Sequence, residues 1–253
     1  MGYFIAITGK GGTGKTTISG LIVLRLIARW CRPVLAVDAD PNTCLDVALG
    51  VQVKKTIGSV REEAREAVGQ GMASGISKQQ LLELKIAESL VEAKDFDLIA
   101  MGRPEGPGCY CYANNVLKSI LSEISSSYPY IVLDNEAGLE NLSRRIVQKV
   151  DLMIMVADPS RNGLETVNRL YTLAKEMKIK YDKLAIIINR LRSRELPPSA
   201  SELQRKMGAD FLFGLPDDAE IAELAENGTS LLSLPERNRM VELMDKFLDE
   251  VVL

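Results

Sequence analysis

The segment Gly9-Lys10-Gly11-Gly12-Thr13-Gly14-Lys15-Thr16, continued by Thr17, carries the strongest structural signal in this chain. It fits the pattern G-x-x-x-x-G-K-[ST], a glycine-rich loop whose backbone N–H groups surround a polyphosphate. An apolar run at residues 4–8 precedes it and another at residues 18–27 follows it, which predicts the flanking strand and helix that the motif requires. We therefore predict a phosphate-binding loop, or P-loop, at residues 9–17.

Each residue type in this loop has an expected role. Lys15 is expected to reach the β- and γ-phosphates of a nucleotide, and the hydroxyl of Thr16 to ligate Mg²⁺. The other predicted nucleotide contacts in the loop are Gly11, Gly12, Thr13, Gly14 and Thr17. The loop thus predicts a nucleoside triphosphate and Mg²⁺ as ligands, and a hydrolase that cleaves the nucleotide.

Short apolar runs alternate with amphipathic stretches along the rest of the chain. The runs lack hydrophobic–polar alternation, as expected for strands buried on both faces of a sheet. Strands are predicted at Tyr3–Thr8, Pro33–Val37, Asp97–Met101, Tyr130–Leu133, Leu152–Val156, Leu184–Ile188 and Phe211–Leu215. Helices are predicted at residues 15–29, 42–49, 59–70, 77–92, 112–126, 139–148, 162–177, 199–206, 217–226 and 235–251. We expect an α/β fold, a doubly wound and mainly parallel sheet of about seven strands with helices on both faces, in a single P-loop ATPase domain over residues 1–253.

The bulk composition limits the possible partners and location. The chain has 253 residues, 46% of them hydrophobic and 26% charged, and a net charge of −3. Because no basic field is present, neither nucleic acid nor an anionic membrane is expected as a partner. No secretory leader is recognisable, and the apolar run at residues 18–27 is too short to span a bilayer, so a cytoplasmic location is expected.

Histidine is absent, and there are four cysteines, Cys31, Cys44, Cys109 and Cys111. The absence of histidine excludes Ser-His-Asp and Cys-His mechanisms. A soft-metal site must therefore use thiolates, supplemented by carboxylates or water. Cys31 and Cys44 lie at or on predicted helices and are expected to be small buried hydrophobic residues.

Cys109 and Cys111 form a C-x-C pair after a predicted strand. In an extended backbone, residues two apart point to the same side, so both sulfurs could face one ligand. Zinc and square-planar nickel each take four ligands, and a symmetric dimer would supply four thiolates at its two-fold axis. The pair predicts a Ni²⁺ or Zn²⁺ site shared by two subunits. A ligand-free cysteine pair and a redox disulfide are the alternatives.

Carboxylates directly follow two of the predicted strands. Asp38 and Asp40 come after the strand at residues 33–37, and Asp134 comes after the strand at residues 130–133. Such carboxylates face the ligand crevice at the carboxyl edge of an open α/β sheet. An apolar strand that ends in Asp is the Walker B arrangement, which anchors a water on Mg²⁺, and Asp134 has this position. Asp38 and Asp40 are either site residues or plain helix caps.

Four motifs together resemble one known family. They are K-G-G-T-G-K-T-T at 10–17, D-A-D-P at 38–41, G-P-G-C-Y-C-Y-A-N-N at 106–115 and D-N-E-A-G-L-E at 134–140. The chain resembles the nickel-insertion accessory ATPases of carbon monoxide dehydrogenase (CooC type), within the MinD/ParA/nitrogenase-iron-protein class of NTPases that carry a deviant Walker A motif. The resemblance runs motif by motif from residue 5 to about residue 190.

This resemblance implies roles for further residues. Lys10, the additional lysine of the deviant motif, is expected to cross a dimer interface and compensate charge at the partner's nucleotide. Asp38 is expected to support an Mg²⁺-bound water, and Asp40 to orient the attacking water. Gly138 is expected to offer its backbone N–H to the γ-phosphate.

The resemblance also implies which residues contact the base. Asn189 is expected to hydrogen-bond the base, and the loop at Pro216 to contact it from a second side. A guanine reader would have N-K-x-D, whereas the segment at residues 189–192 is N-R-L-R and lacks the acidic residue. ATP is therefore expected rather than GTP.

For the whole protein the resemblance implies a homodimer that binds ATP, Mg²⁺ and one Ni²⁺ or Zn²⁺. It also implies that this dimer assists the maturation of a nickel enzyme client, which would be carbon monoxide dehydrogenase or acetyl-CoA synthase. An iron–sulfur cluster carrier or reductase of the nitrogenase-iron-protein kind is the main alternative. A spatial regulator of the MinD or ParA kind is less favoured, because residues 240–253 carry four acidic residues and one lysine, unlike a basic membrane-binding helix.

Overall fold

An eight-stranded sheet forms the centre of the fold. The structure is a computed structural model that describes residues 2–59, 87–103, 110–139, 149–193 and 195–252. The strands are β1 (Tyr3–Gly9), β2 (Val34–Ala39), β3 (Leu90–Glu92), β4 (Phe96–Ala100), β5 (Tyr130–Asn135), β6 (Val150–Ala157), β7 (Tyr181–Leu191) and β8 (Phe211–Pro216). Their order is β3-β4-β2-β5-β1-β6-β7-β8, and every neighbouring pair is parallel except β3 with β4. The mainly parallel α/β class is confirmed.

Helices pack on both faces of this sheet. They are α1 (Lys15–Ala28), α2 (Leu45–Leu49), α3 (Tyr110–Ile124), α4 (Arg161–Glu176), α5 (Pro198–Met207), α6 (Ala219–Glu226) and α7 (Arg239–Val251), with short 3₁₀ turns at Ser125–Ser127 and Leu231–Ser233. None of the helices in the described ranges is long and apolar enough to cross a bilayer.

The core consists of two layers because the central strands are buried on both sides. Along β1, Ile5 and Ile7 join the apolar cluster that contains α1, α2 and α7. Phe4 and Ala6 point the opposite way and join the cluster that contains α3, α4 and α5. This two-sided burial explains why the strand sequences read as continuous apolar runs.

The sheet has one more strand than predicted, and its edge differs from the prediction. Residues 90–92 were expected at the end of a helix at 77–92, but they form β3, which pairs antiparallel with β4. Three residues are too few to show a strand period, so the pattern was absorbed into the helix. The predicted helices at 59–70 and 139–148, and the remainder of the one at 77–92, lie almost entirely outside the described residues.

Three predictions close to α1 and α2 differ from the structure. The helix expected from residue 42 begins at Leu45, because the carboxylate of Asp38 accepts the backbone N–H groups of Cys44 and Leu45 and caps it there. Cys44 is exposed rather than buried, since it lies at this cap. Cys31 is only half-buried, although it packs against the apolar layer that contains α1.

Candidate nucleotide site

The P-loop connects the end of β1 at Gly9 to the start of α1 at Lys15. Gly12 and Gly14 adopt positive φ angles of 77° and 89°, which side-chain-bearing residues rarely adopt. A Cβ at Gly14 would also lie 2.5 Å from Nδ2 of Asn189. Backbone conformation and close approach therefore both explain the second glycine of the motif.

Lys15 lies inside the loop rather than in solvent. Its side chain is largely buried, and Nζ donates a hydrogen bond to the carbonyl of Lys10 at 3.2 Å. The hydroxyl of Thr13 donates to the same carbonyl at 2.9 Å. Burial lowers the pKa of Lys15, while the negative charges of Asp134 and other nearby acidic groups oppose that shift. The ammonium group is thus held at the position where a polyphosphate would enter.

Asp134 is the penultimate residue of β5 and lies near this lysine. Its Oδ1 accepts a hydrogen bond from the hydroxyl of Ser19 at 3.0 Å, and the hydroxyl of Thr16 also bonds to the carboxylate. Its Oδ2 is buried and has no hydrogen-bond partner among the described residues. Burial raises the pKa of Asp134 to about 7, the charge of Asp38 adds to this rise, and the hydroxyl bonds and Lys15 oppose it.

Asp38 lies next to Asp134, because the two residues are register partners on the adjacent strands β2 and β5. Its carboxylate is fully buried and accepts N–H groups from Asp40 at 3.1 Å and from Cys44 and Leu45 at 2.9 Å each. Burial raises the pKa of Asp38 to about 6, and these backbone hydrogen bonds oppose the rise. Asp38 therefore caps the helix and also lies beside Asp134, and its predicted role at Mg²⁺ stays a prediction.

This group of oxygens suits Mg²⁺. Two carboxylates lie side by side at the carboxyl edge of the sheet, with two hydroxyls next to one of them. Hard divalent cations prefer such oxygen ligands, and Mg²⁺ commonly binds through one or two carboxylates with waters and substrate phosphates. The orphaned Oδ2 of Asp134 also leaves one buried acceptor for a cation or its water.

The carboxylate of Asp40 bonds to Asn42 rather than to the Asp38–Asp134 pair, although its backbone N–H donates to Asp38. Its Oδ1 accepts the backbone N–H and the side-chain Nδ2 of Asn42, at 2.9 and 3.0 Å. The structure places Asp40 next to the site carboxylates, as predicted, but its catalytic role remains a prediction.

A cavity of about 630 Å³ opens beside the P-loop. Its wall includes Gly14 and Thr17 from the loop, Asn189 from β7 and Pro216 from β8, so it unites the predicted base contacts with the predicted phosphate contacts. Nδ2 of Asn189 donates to the carbonyl of Thr13 at 2.8 Å. A nucleoside next to Asn189 would therefore lie directly beside the loop that binds its phosphates.

Sequence reasoning missed two residues of this site. Ser19 was treated only as part of an apolar helix, yet its buried hydroxyl bonds to Asp134. Asp158 follows β6 and lines the cavity, and the rule that identified Asp38 and Asp134 would have found it. Partial burial raises the pKa of Asp158, but hydrogen bonds from Ser160 and the charges of Lys10 and Arg190 outweigh it and lower the pKa.

Lys10 is exposed, unlike Lys15. Its carbonyl, rather than its side chain, makes the hydrogen bonds to Thr13 and Lys15 within the loop. The ammonium group is therefore available for a contact outside its own loop.

The C-x-C segment is only partly within the described residues. Cys109 lies outside them, while Cys111 lies in the first turn of α3, which begins at Tyr110 rather than at residue 112. The extended backbone assumed for the pair is therefore wrong at Cys111. No group of three or more Cys, Asp or Glu side chains able to hold a metal ion occurs in the part of the chain that the structure describes.

Comparisons with known proteins find a matching family model and several similar ATP-binding proteins. The family model AAA_31, described as an AAA domain, matches residues 3–186. An uncharacterized ATP-binding protein of Methanocaldococcus jannaschii is 39% identical over 98% of this chain and 98% of its own length. The carbon monoxide dehydrogenase accessory protein CooC of Rhodospirillum rubrum is 31% identical over 98% of this chain and 97% of its own length.

The same fold occurs in solved structures. The septum site-determining protein MinD of Pyrococcus horikoshii OT3, complexed with Mg-ADP, superposes with a TM-score of 0.69 at 22% identity, covering 100% of this chain and 96% of that chain. The likeness shows a shared MinD-like P-loop fold.

Proposed function

The chain is a P-loop ATPase that belongs to the AAA_31 family of AAA domains, and from this premise we propose that it is an ATP-driven nickel metallochaperone. In this proposal a homodimer carries Ni²⁺ or Zn²⁺ as cargo on Cys109 and Cys111 and assists maturation of carbon monoxide dehydrogenase or acetyl-CoA synthase. The observation that carries it is the full-length similarity to the CooC accessory protein. The C-x-C pair supplies the thiolates that such cargo needs.

The nucleotide chemistry follows from the P-loop and the two carboxylates. Lys15 holds the β- and γ-phosphates, and the loop N–H groups surround them. Thr16, Asp38 and Asp134 would hold Mg²⁺ directly or through water, and the ion would supply charge neutralisation at the phosphates. Asp40 orients the attacking water, and Asn189 and Pro216 bind the adenine.

The dimer is needed for both the phosphate chemistry and the cargo. Lys10 acts in trans on the partner's nucleotide, and the exposure of its side chain is compatible with that reach. Two C-x-C pairs meet at the two-fold axis and complete a four-thiolate site. ATP binding closes the dimer, and hydrolysis opens it, so that nucleotide state controls metal affinity.

The proposal is tested by measuring mass and metal together. Reduced, anaerobic protein is analysed by size-exclusion chromatography with light scattering and by elemental analysis, with and without Ni²⁺ or Zn²⁺. We expect a metal-dependent dimer with about one ion per two chains, as a shared four-thiolate site requires. The double variant Cys109→Ser/Cys111→Ser should lose the metal and keep ATP binding.

The matched control is Cys31→Ser/Cys44→Ser, which removes the other two cysteines and should leave the metal content unchanged. Stoichiometric nickel or zinc that persists in the Cys109/Cys111 variant would contradict the proposed ligands. A brown dimer that contains iron and sulfide would overturn the nickel assignment in favour of an iron–sulfur carrier.

A further inference from the structure

Three hydrogen bonds join β1 and the start of the P-loop to the segment that follows the Walker B aspartate. Nδ2 of Asn135 donates to the carbonyl of Ile7 at 2.9 Å. The hydroxyl of Thr8 donates to the carbonyl of Gly138. The backbone N–H of Gly138 donates to the carbonyl of Gly9 at 3.3 Å. Both backbone polar groups of Gly138 are therefore bound to consecutive residues of the phosphate-binding strand.

The Thr8 hydroxyl has no contact with solvent. Thr8 is fully buried in a central strand, and a buried hydroxyl without a hydrogen-bond partner destabilises the fold. The bond to the Gly138 carbonyl is thus strongly retained in this conformation. Gly138 itself has φ of +103°, a backbone conformation that favours glycine, so its peptide can present N–H and carbonyl to β1 together.

These contacts occupy a donor that the nucleotide also requires. A backbone N–H makes one good hydrogen bond, so the Gly138 N–H cannot serve both the Gly9 carbonyl and a γ-phosphate. We propose that Thr8 is a positioning residue that holds the Gly138 peptide on the P-loop backbone until a γ-phosphate displaces it. The inference rests on the proposed contact of Gly138 with the γ-phosphate. It assigns to Thr8 a role in distinguishing ATP from ADP.

Asn135 limits where the backbone can move. Its side chain is buried, its amide is anchored on Ile7, and its own backbone lies in β5 beside Ala39. The segment is therefore fixed at Asn135 and held by Thr8 at Gly138. Release of Gly138 therefore requires the backbone to change after Asn135, in the segment where Ala137 lies beside Gly11 of the P-loop.

The test removes the Thr8 hydroxyl and keeps its shape. Thr8→Val is nearly isosteric, and Thr8→Ala is a second hydroxyl-free variant should Val disturb β1. Affinities for ADP and for a non-hydrolysable ATP analogue are measured with Mg²⁺ by calorimetry. ADP does not need the Gly138 N–H, so the preference for the ATP analogue over ADP should rise about fivefold, the effect of one hydrogen bond near 1 kcal/mol.

Thr8→Ser retains the hydroxyl and should restore the wild-type preference, which a purely structural role for the threonine methyl group would not do. An unchanged or reduced preference in both hydroxyl-free variants would overturn the positioning role.

Gly138→Ala separates this inference from the function on which it rests. A Cβ at Gly138 meets no atom within 4 Å, so the substitution acts through backbone strain alone. It should change the affinity for the ATP analogue and spare that for ADP, because only the γ-phosphate needs the Gly138 N–H. If Gly138→Ala spares both nucleotides, the γ-phosphate contact itself is wrong. If Gly138→Ala has this effect and Thr8→Val has none, only the role of Thr8 is wrong.

Discussion

At the scale of single residues, the two lysines of the P-loop have different surroundings, although they lie only five positions apart in the same loop. Lys15 is buried against the loop backbone and near Asp134, whereas Lys10 is exposed. This contrast supports the proposal that Lys15 acts within the chain and Lys10 across an interface.

Lys10→Ala is expected to abolish ATP hydrolysis while leaving ATP affinity of the monomer within about twofold. The side chain makes no hydrogen bond within its own loop in the described residues, so its removal leaves the loop intact, and the loss appears only where two chains meet. Steady-state hydrolysis and equilibrium nucleotide binding are measured on the same preparation. Lys206→Ala, which removes an exposed lysine on α5, serves as the control. Retained hydrolysis in Lys10→Ala would exclude the role in trans.

Asp134 makes the stability of the nucleotide-free protein depend on pH. Its pKa in the folded protein is about 7, above the ordinary value of 3.8, so folding takes up a proton between these values and stability falls as pH rises through this window. Asp134→Asn removes this charge. The free energy of unfolding of this variant, relative to that of the wild type, should therefore rise by about 2 kcal/mol between pH 5.5 and pH 8. This figure follows because each pKa unit corresponds to about 1.4 kcal/mol.

Urea unfolding at both pH values, without nucleotide and Mg²⁺, measures this change. Glu242→Gln neutralises an exposed carboxylate on α7 and should show no comparable trend. The same stability difference at both pH values would mean that Asp134 does not titrate in this window.

At the scale of secondary-structure elements, the P-loop is held between β1, α1 and β7. Gly14 caps α1 with φ of +89°, and Asn189 of β7 approaches it so closely that no side chain fits between them. The hydrogen bond from Asn189 to the Thr13 carbonyl connects the base side of the cavity to the phosphate side. Nucleotide binding should therefore be sensitive to backbone changes at this junction.

Gly14→Ala should lower ATP affinity more than tenfold, since the added Cβ meets Asn189 at 2.5 Å and strains the loop. Gly208→Ala is the matched control because Gly208, at the end of α5, also has positive φ but meets nothing within 4 Å. That variant should lose about 1 kcal/mol of stability and bind ATP normally. Binding by calorimetry and unfolding by denaturant distinguish the two, and normal ATP affinity in Gly14→Ala would contradict the steric argument.

At the scale of the whole molecule, the proposed function couples two ligands through one dimer. If ATP and metal both favour the closed dimer, thermodynamic linkage requires that each raises the affinity for the other by the same factor. A non-hydrolysable ATP analogue should raise Ni²⁺ affinity, and Ni²⁺ should raise affinity for the analogue equally, by about 5- to 150-fold for typical couplings. Titration in both orders measures these factors. Lys10→Ala should reduce both factors together, and independent affinities would contradict the coupled dimer.

Much of this fold and site could be predicted from sequence. All seven predicted strands are present, because strands buried on both faces must be apolar throughout and that signal is local. The position of the P-loop between β1 and α1 could be predicted, because its glycine pattern occurs between a strand and a helix. The positions of Asp38 and Asp134 at the carboxyl edge of the sheet could be predicted because each follows an apolar run. The strand β3 could not be predicted, because three residues are too few to show a strand period. The exposure of Cys44 could not be predicted either, because it depends on how Asp38 caps α2.

By itself, the sequence determined the α/β class and the P-loop, and it predicted which carboxylates lie beside that loop, because these depend on residue type and short-range spacing. Only the tertiary structure decided that Asp38 and Asp134 are register partners and that Asn189 contacts the P-loop. It also decided that Gly138 is hydrogen-bonded to Thr8 and Gly9, about 130 residues away. Such contacts depend on the order and register of strands in the sheet, which no local pattern encodes.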